Sequence, residues 1–330
     1  MHTRFTAWKI TRYGAPEVMV PVTRLLPTPQ KNELLIRIHT AAVTRADSMM
    51  RAGTPRFARL FLGLHRPRND LVGTGFSGEV IAVGPDVTRF TPGDAVFGEA
   101  GTQFGANASH ICLSQEGVIL HKPDHLPHDQ AAVLCDGVLT SWNFLHHVAQ
   151  LRAGERVLIL GASGSLGSAA VQIAHEMGAD VTGTCSATHA GMVAALGAAH
   201  VVDYTQQDVL DQAEKFDVIY DTLGVSSYAK AKHALNAQGR YVCPVLSLPL
   251  LGAMMRTSCF GARKARFSAT GLLPPDKLRQ MLETILSSID AGLLAPVMSR
   301  SYPLSDLIEA HHHMETGHKR GNIVVVIDDS

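Results

Sequence analysis

The sequence predicts an α/β protein of two domains, a compact β barrel and a doubly wound parallel sheet, and three observations carry that expectation. At 330 residues the chain is too long for one small core. Residues 6–122 read as short strands between Gly and Pro turns, without regular helical interludes. From Arg156 onward strands and helices alternate, and right-handed crossovers wind such a series into a doubly wound sheet.

In the first part, Glu33 to Thr40 alternates as a strand, and Phe76 to Val83 and Ala95 to Phe97 follow. Between them, Val83 to Asp94 holds two turns around a short apolar step. From Pro127 the texture changes, and Asp129 to Val148 reads as an Ala-rich helical region interrupted near Gly137. Val157 to Leu160 is an apolar run suited to a strand buried on both faces. Gly161, Gly164 and Gly167 then fall at every third position, and Leu166, Ala169, Ala170 and Ile173 recur at helical spacing. Further strands are expected at Asp180–Cys185, His200–Tyr204, Phe216–Thr222, Gly239–Val245 and Ala265–Thr270. Helices are expected at Ala187–Leu196 and Tyr228–Leu235, and an amphipathic one at Pro275–Ala291 puts Leu278, Met281, Leu282, Ile285 and Ile289 on one face. A helix over Asp306–Met314 and a strand over Ile323–Ile327 close the chain.

Strand, glycine turn and helix in that order form a dinucleotide fingerprint. Gly161 allows the tight turn, Gly164 lets the backbone approach a pyrophosphate, and Gly167 lets the helix pack close to the sheet. Free amides at the helix start face the anion, with the helix dipole behind them. The competing reading is a strand-to-helix connection that binds nothing.

Twenty-nine basic residues balance 29 acidic ones, and no polybasic run stands out, which argues against nucleic acid or an anionic membrane as partner. Met1 to Phe5 lacks the apolar run of a signal peptide. The longest apolar stretch, Pro244 to Met255, is short and broken by prolines. Cys112, Cys135, Cys185, Cys243 and Cys259 form no CxxC pair and read as reduced core residues of a cytoplasmic protein. The basic segment Ala262 to Arg266 reads equally well as a solvated loop or a ligand site.

Taken end to end, the chain resembles the medium-chain dehydrogenase/reductase superfamily, in its zinc-free quinone oxidoreductase-like branch. The residues that carry the resemblance are Tyr13 to Val18, Gly73 to Val80, Gly161 to Gly167, Leu196-Gly197-Ala198 with Val202-Asp203-Tyr204, and Gly317 to Gly321. The resemblance implies a GroES-like β-barrel domain from residues 1–125 and 272–330 around a Rossmann domain at 126–271. It also implies an active site in the cleft between domains, and a homodimer paired through the edge strand Ala265–Thr270.

Catalytic zinc in that superfamily needs three protein ligands and an open position. The matching positions here hold Thr44, Thr74 and Asp136, and threonine hydroxyls are poor zinc ligands. No functional metal is expected, although His146-His147 and His311-His312-His313 invite the question: adjacent histidines on a helix point in different directions, and the triplet reads as part of a surface helix. Hydride transfer without metal acts on a substrate already polarised, a quinone or an α,β-unsaturated carbonyl, with hydrogen-bond donors steadying the developing oxygen anion. Thr44, Asp47, Thr74 and Asp136 are the candidate catalytic residues by motif match. Thr44 stands where zinc-free relatives usually have Asn, and Gly75 where Asp is frequent. Asp47 equally suits a helix cap, and Asp136 suits a cap at the helix restart, a water site or a raised-pKa acid.

The resemblance places cofactor-binding residues at Thr140, Gly161, Ser163, Gly164, Ser165, Leu166, Gly167, Ser186, Thr188, His189 and Tyr204. The strand Val181–Cys185 has no acid at its tip, which removes the main repulsion against a 2′-phosphate. Ser186 and Thr188 offer hydrogen bonds there and His189 a charge when protonated, so NADPH is expected, with NADH as the alternative. The expected activity is NADPH-dependent, zinc-independent reduction of a small-molecule quinone or enone. The alternatives are an enoyl reductase of a biosynthetic pathway and a non-catalytic NADPH sensor.

Overall fold

The computed structural model describes residues 4–317 and 319–327. Met1 to Thr3, and His318 of the Gly317–Gly321 motif, lie outside the described residues. The chain divides into two compact units, one of Met1–Asp136, Leu273–Leu282 and Met298–Ser330, the other of Gly137–Leu272 and Glu283–Val297.

The first unit begins with β1 (Arg4–Ile10) and β2 (Met19–Leu25), an antiparallel pair. Then come β3 (Glu33–Val43), α1 (Arg45–Ala52), α2 (Arg59–Leu62), β4 (Gly75–Val83), β5 (Ala95–Glu99), β6 (His110–Ser114), β7 (Val118–His121) and α3 (His128–Ala132). The helices α1 and α2 interrupt a segment expected to be mostly strand, without regular helical interludes. The first of them starts at Thr44, where a capping box replaces strand alternation.

The second unit carries α4 (Leu139–Trp142), β8 (Arg156–Leu160), α5 (Ser165–Glu176), β9 (Asp180–Cys185), α6 (Ala190–Ala195), β10 (His200–Asp203), β11 (Phe216–Asp221), α7 (Tyr228–Ala231), β12 (Leu235–Val242), α8 (Leu248–Cys259) and β13 (Lys264–Arg266). The chain ends with α9 (Pro275–Asp290), β14 (Met298–Pro303), α10 (Leu307–Glu315) and β15 (Asn322–Val326).

Among the described residues the second unit's sheet runs β10-β9-β8-β11-β12-β13, with every pair parallel. This is the doubly wound order in which the first strand lies third from the edge. Val157, Leu158 and Ile159 are wholly buried, as a central strand covered on both faces requires. The first unit's sheet runs β14-β15-β3-β4-β5-β7, with β6 also on β3. The eleven-residue β3 shares one edge between two strands, β6 along Glu33–Arg37 and β15 along Thr40–Val43. Phe76, Ile36, Ile38, Val96 and Ile119 fill the core beneath it.

Two further expectations are corrected. The helix expected over Tyr228–Leu235 stops at Ala231, because Leu235 already pairs with Phe216 as the start of β12. The edge strand expected over Ala265–Thr270 is only Lys264–Arg266, since Thr270 turns into a short 3-10 segment. Pro244–Met255 gives the start of α8, whose Ser247 side chain accepts from the Leu250 amide, with proline in the first turn. No helix among the described residues is long and apolar enough to cross a membrane.

Candidate functional site

In the second unit β8 ends at Leu160 and the backbone turns at Gly161 with φ +77°. A Cβ there would lie 2.6 Å from Leu223 Cδ1, so the position needs glycine for both conformation and space. Two hydrogen bonds tie the turn to the tip of β9: Gly161 N–H donates to Thr184 Oγ1 at 3.1 Å and Ala162 N–H to the Thr184 carbonyl at 2.8 Å. Gly164 caps α5 in extended conformation. The nearest protein atom to a Cβ there is 3.5 Å away, so the side facing outward is open. Helix geometry leaves the first amides of α5, at Ser165, Leu166 and Gly167, without acceptors in their own helix. Ser163, Gly164 and Leu166 are partly exposed around this turn. Alongside, α4 holds Thr140, and its Ser141 hydroxyl donates to the Leu166 carbonyl at 2.8 Å.

At the tip of β9, Ser186 precedes a 3-10 turn over Ala187–His189, and Tyr204 N–H donates to the Cys185 carbonyl at 3.3 Å. Thr188 and Tyr204 are exposed, Ser186 and His189 partly so. An acid does stand close by, from the next strand: Asp203 accepts from the Thr205 amide at 2.9 Å and its hydroxyl at 2.8 Å. Those bonds and one from the Ala187 amide hold the Asp203 carboxyl below its usual range.

In the first unit Thr44 is the N-cap of α1 and Asp47 completes a capping box. Asp47 N–H donates to Thr44 Oγ1 at 3.1 Å, while the Thr44 amide and hydroxyl both donate to Asp47 Oδ2, at 2.9 and 2.7 Å. Asp47 therefore caps backwards, correcting the expectation that it would bond the amides after it. Its other oxygen, Oδ1, is buried without a hydrogen-bond partner. Burial, with the nearby Asp136 carboxylate, pushes the Asp47 carboxyl up to about 7.

Thr74 sits just before β4, and its carbonyl accepts from Ala100 N–H at 2.8 Å. Gly75 pairs with Glu99 across β4 and β5. A Cβ at Gly75 would come 2.7 Å from the Ala132 carbonyl of α3, so the absent aspartate has a packing reason: α3 occupies that space. After α3 the chain makes a π-helical turn over Leu134–Val138 that carries Asp136, an irregularity common at functional sites. Burial and the charges of Asp136 and Asp47 raise Glu99 to about 8, and burial lowers Lys319 to about 8 against the pull of Asp136. The Asp136 charge thus acts on Asp47, on Glu99 and on Lys319.

A carboxyl raised on folding binds its proton more tightly in the folded chain than in the unfolded one. Stability therefore falls as pH rises from the unfolded pKa, 3.8 for Asp47, through the folded value of about 7. Asp47→Asn removes this titration, so its Tm should fall less steeply than the parent's over that window. Parallel Tm-against-pH curves would contradict the burial of an uncompensated carboxyl.

The three histidines of α10 point apart, as expected, but the surface assignment is corrected for one. His311 is buried against Ser48 Oγ at 3.3 Å, His312 meets Glu17 and His313 meets the Tyr302 hydroxyl. Burial holds His311 down at about 3.

Comparison with known proteins places this geometry. The model for the alcohol dehydrogenase GroES-like domain matches residues 30–150, and that for zinc-binding dehydrogenase matches residues 196–325. The mitochondrial NAD(P)H oxidoreductase RTN4IP1 of Mus musculus is 32% identical over 98% of this chain and 89% of its own length. The chain belongs to the medium-chain dehydrogenase/reductase superfamily, in its quinone oxidoreductase-like branch. The 2-methylene-furan-3-one reductase of Solanum lycopersicum is 28% identical over 97% of this chain and 78% of its own. The solved quinone oxidoreductase of Coxiella burnetii superposes with a TM-score of 0.86 at 27% identity, covering 99% of this chain and 100% of that one.

For this quinone oxidoreductase-like chain the sequence reading missed Glu99, Lys319 and Asp221. Lys319 lies within the C-terminal motif Gly317 to Gly321, and Glu99 lies two residues beyond the strand expected at Ala95 to Phe97. Asp221 closes β11 and accepts from the amides of Leu223, Gly224, Val225 and Ser226 and from the Tyr241 hydroxyl. It thereby fixes the loop whose Leu223 side chain packs on Gly161.

Proposed function

We propose that the protein is an NADPH-dependent reductase of quinones or α,β-unsaturated carbonyls that works without zinc. The observation that carries this reading is the turn at Gly161–Gly167, open at Gly164 and lined by first-turn amides of α5. The names of the similar proteins, an NAD(P)H oxidoreductase, a quinone oxidoreductase and an enone reductase, agree with it. The residues suited to hold the cofactor are Ser163, Gly164, Ser165 and Leu166 at the pyrophosphate, Thr140 beside them, and Ser186, Thr188, His189 and Tyr204 at the ribose end. When bound, the reduced nicotinamide supplies a hydride. Preference for NADPH follows from the hydroxyls at Ser186 and Thr188, while the Asp203 carboxylate is engaged by the Thr205 and Ala187 amides.

The residues at the positions matched to zinc ligands do not fit that ion. Thr44 Oγ1 both donates to and accepts from Asp47, so its hydroxyl is committed to the cap, and Thr74 offers only another neutral hydroxyl. Activity should therefore survive exhaustive chelation unchanged. Activity lost to a chelator and restored by added zinc would sink the zinc-free reading.

The deciding experiment is steady-state NADPH oxidation against a panel of quinones, enals and enoyl thioesters. Turnover of quinones or enones is expected. Tight NADPH binding with no turnover on any of them would favour a sensor, and turnover confined to enoyl thioesters a biosynthetic enoyl reductase.

A further inference from the structure

The glycine turn of the second unit hangs from one peptide at the end of its central strand. Strand pairing along β8 stops at Leu160, which faces Thr184 of β9 on one side and Asp221 of β11 on the other. Beyond that point side chains continue the ladder. The Leu160 carbonyl accepts from the Thr222 hydroxyl at 2.7 Å and from the Thr222 amide at 3.3 Å. On the opposite side, Gly161 N–H donates to the Thr184 hydroxyl oxygen at 3.1 Å. The Leu160–Gly161 peptide is therefore held by its oxygen from the β11 side and by its nitrogen from the β9 side.

That peptide governs the backbone after it. Gly161 leaves the sheet at φ +77°, and the conformational freedom of glycine lets an unrestrained peptide beside it rotate at little cost. The Gly161 carbonyl accepts from Gly164 N–H at 3.1 Å, and the Gly164 carbonyl accepts from Ser168 N–H at 2.9 Å, the first bond of α5. A run of hydrogen bonds thus joins the two threonines to the start of α5, where the amides of Ser165, Leu166 and Gly167 lack acceptors in their own helix. Thr184 and Thr222 are each only 4% exposed. Valine has the same branched shape and would fill either place, so what threonine adds there is the hydroxyl.

We propose that Thr184 and Thr222 are positioning residues for the dinucleotide: their hydroxyls clamp the Leu160–Gly161 peptide and so hold the first amides of α5 in the arrangement that takes a pyrophosphate. The inference rests on the reading above that NADPH lies on this turn. Neither hydroxyl has to touch the cofactor, because both act through the backbone. Binding to a turn already set avoids the cost of ordering it at the moment of binding. Where only a fraction of the chains has the turn set, the apparent affinity falls by that fraction. Without the Thr184 hydroxyl, Gly161 N–H loses its acceptor, and a hydrogen bond of ordinary net strength changes such a fraction by up to about tenfold.

The test is NADPH titration of the parent, Thr184→Val, Thr184→Ser and Thr222→Val, with native-state hydrogen exchange of each in the absence of cofactor. Thr184→Val should weaken NADPH binding about tenfold. Thr222→Val should weaken it less, about threefold, because the amide of residue 222 still reaches the Leu160 carbonyl. Thr184→Ser keeps the acceptor oxygen and should bind within about twofold of the parent. In Thr184→Val the amides of Gly161 and Gly164 should exchange faster, while those of Val157, Leu158 and Ile159, wholly buried in β8, keep the parent's protection. That contrast separates a loosened turn from a loosened domain. Parent-like affinity in Thr184→Val, a serine variant as weak as the valine one, or exchange that rises equally along β8 would overturn the proposal and leave the reductase reading intact. A parent that does not bind NADPH would overturn that reading and the proposal with it.

Discussion

Gly167→Val should cost more than about 3 kcal/mol of stability, at the upper end of overpacking effects, and lower the Tm by about 10 °C. A Cβ at position 167 would lie 2.0 Å from the Gly161 carbonyl oxygen and 2.7 Å from Ala162 Cα. Both are backbone atoms of the turn, so no side-chain rotation relieves the clash. The start of α5 would have to move off β8, which is buried at the centre of its sheet. Thermal melts without cofactor measure the effect directly. A variant that melts within 2 °C or so of the parent would mean that α5 packs on β8 less closely than described.

Asp221→Ala should be comparably damaging, by about 3–5 kcal/mol, because it strands several donors at once. Oδ1 accepts from Gly224 N–H at 2.8 Å and, at 3.2 Å, from Leu223 and Val225; Oδ2 accepts from Ser226 N–H and Tyr241 Oη–H, both at 2.8 Å. Burial, with the Asp221 charge beside it, keeps the Tyr241 phenol protonated well above its ordinary range. Asp221→Asn keeps one acceptor oxygen and should fall between parent and Ala. Dinucleotide affinity should drop in step with stability, since the loop that Asp221 fixes carries Leu223 onto Gly161. A Tm for Asp221→Ala equal to the parent's would show that water satisfies these donors.

The second unit was the more legible in sequence. Val157–Leu160, the glycines at every third position and the alternation after them depend on local spacing, and that spacing survives in the strand order. What the sequence concealed arose from long-range pairing. Tyr228–Leu235 has helical composition, yet Leu235 is claimed by its partner Phe216, a contact no local window contains. The end of β5 at Glu99 and the start of β15 at Ile323 come to the same end of the sheet only because β5, β4, β3 and β15 are neighbours. Asp47 was legible as suited to a cap, but that Thr44 is the N-cap and Asp47 reaches back to it is set by the backbone at Thr44, φ −114° and ψ 162°. The missing aspartate at position 75 was visible as a departure from pattern; its reason, the Ala132 carbonyl, was not.

The proposed reduction requires the cofactor to lie against the turn at Gly164, and NADPH titration of the parent and Gly164→Val tests this most directly. The backbone at Gly164, φ −77° and ψ −177°, is open to any residue, and a Cβ there meets no protein atom closer than 3.5 Å. The variant should therefore melt within a few degrees of the parent without cofactor, losing about 1 kcal/mol from a poorer helix cap. Its affinity for NADPH should fall at least tenfold, as the branched side chain displaces the pyrophosphate from the amides of α5. Binding indistinguishable from the parent's would mean that the dinucleotide does not lie on this turn, and the proposed function would lose its foundation.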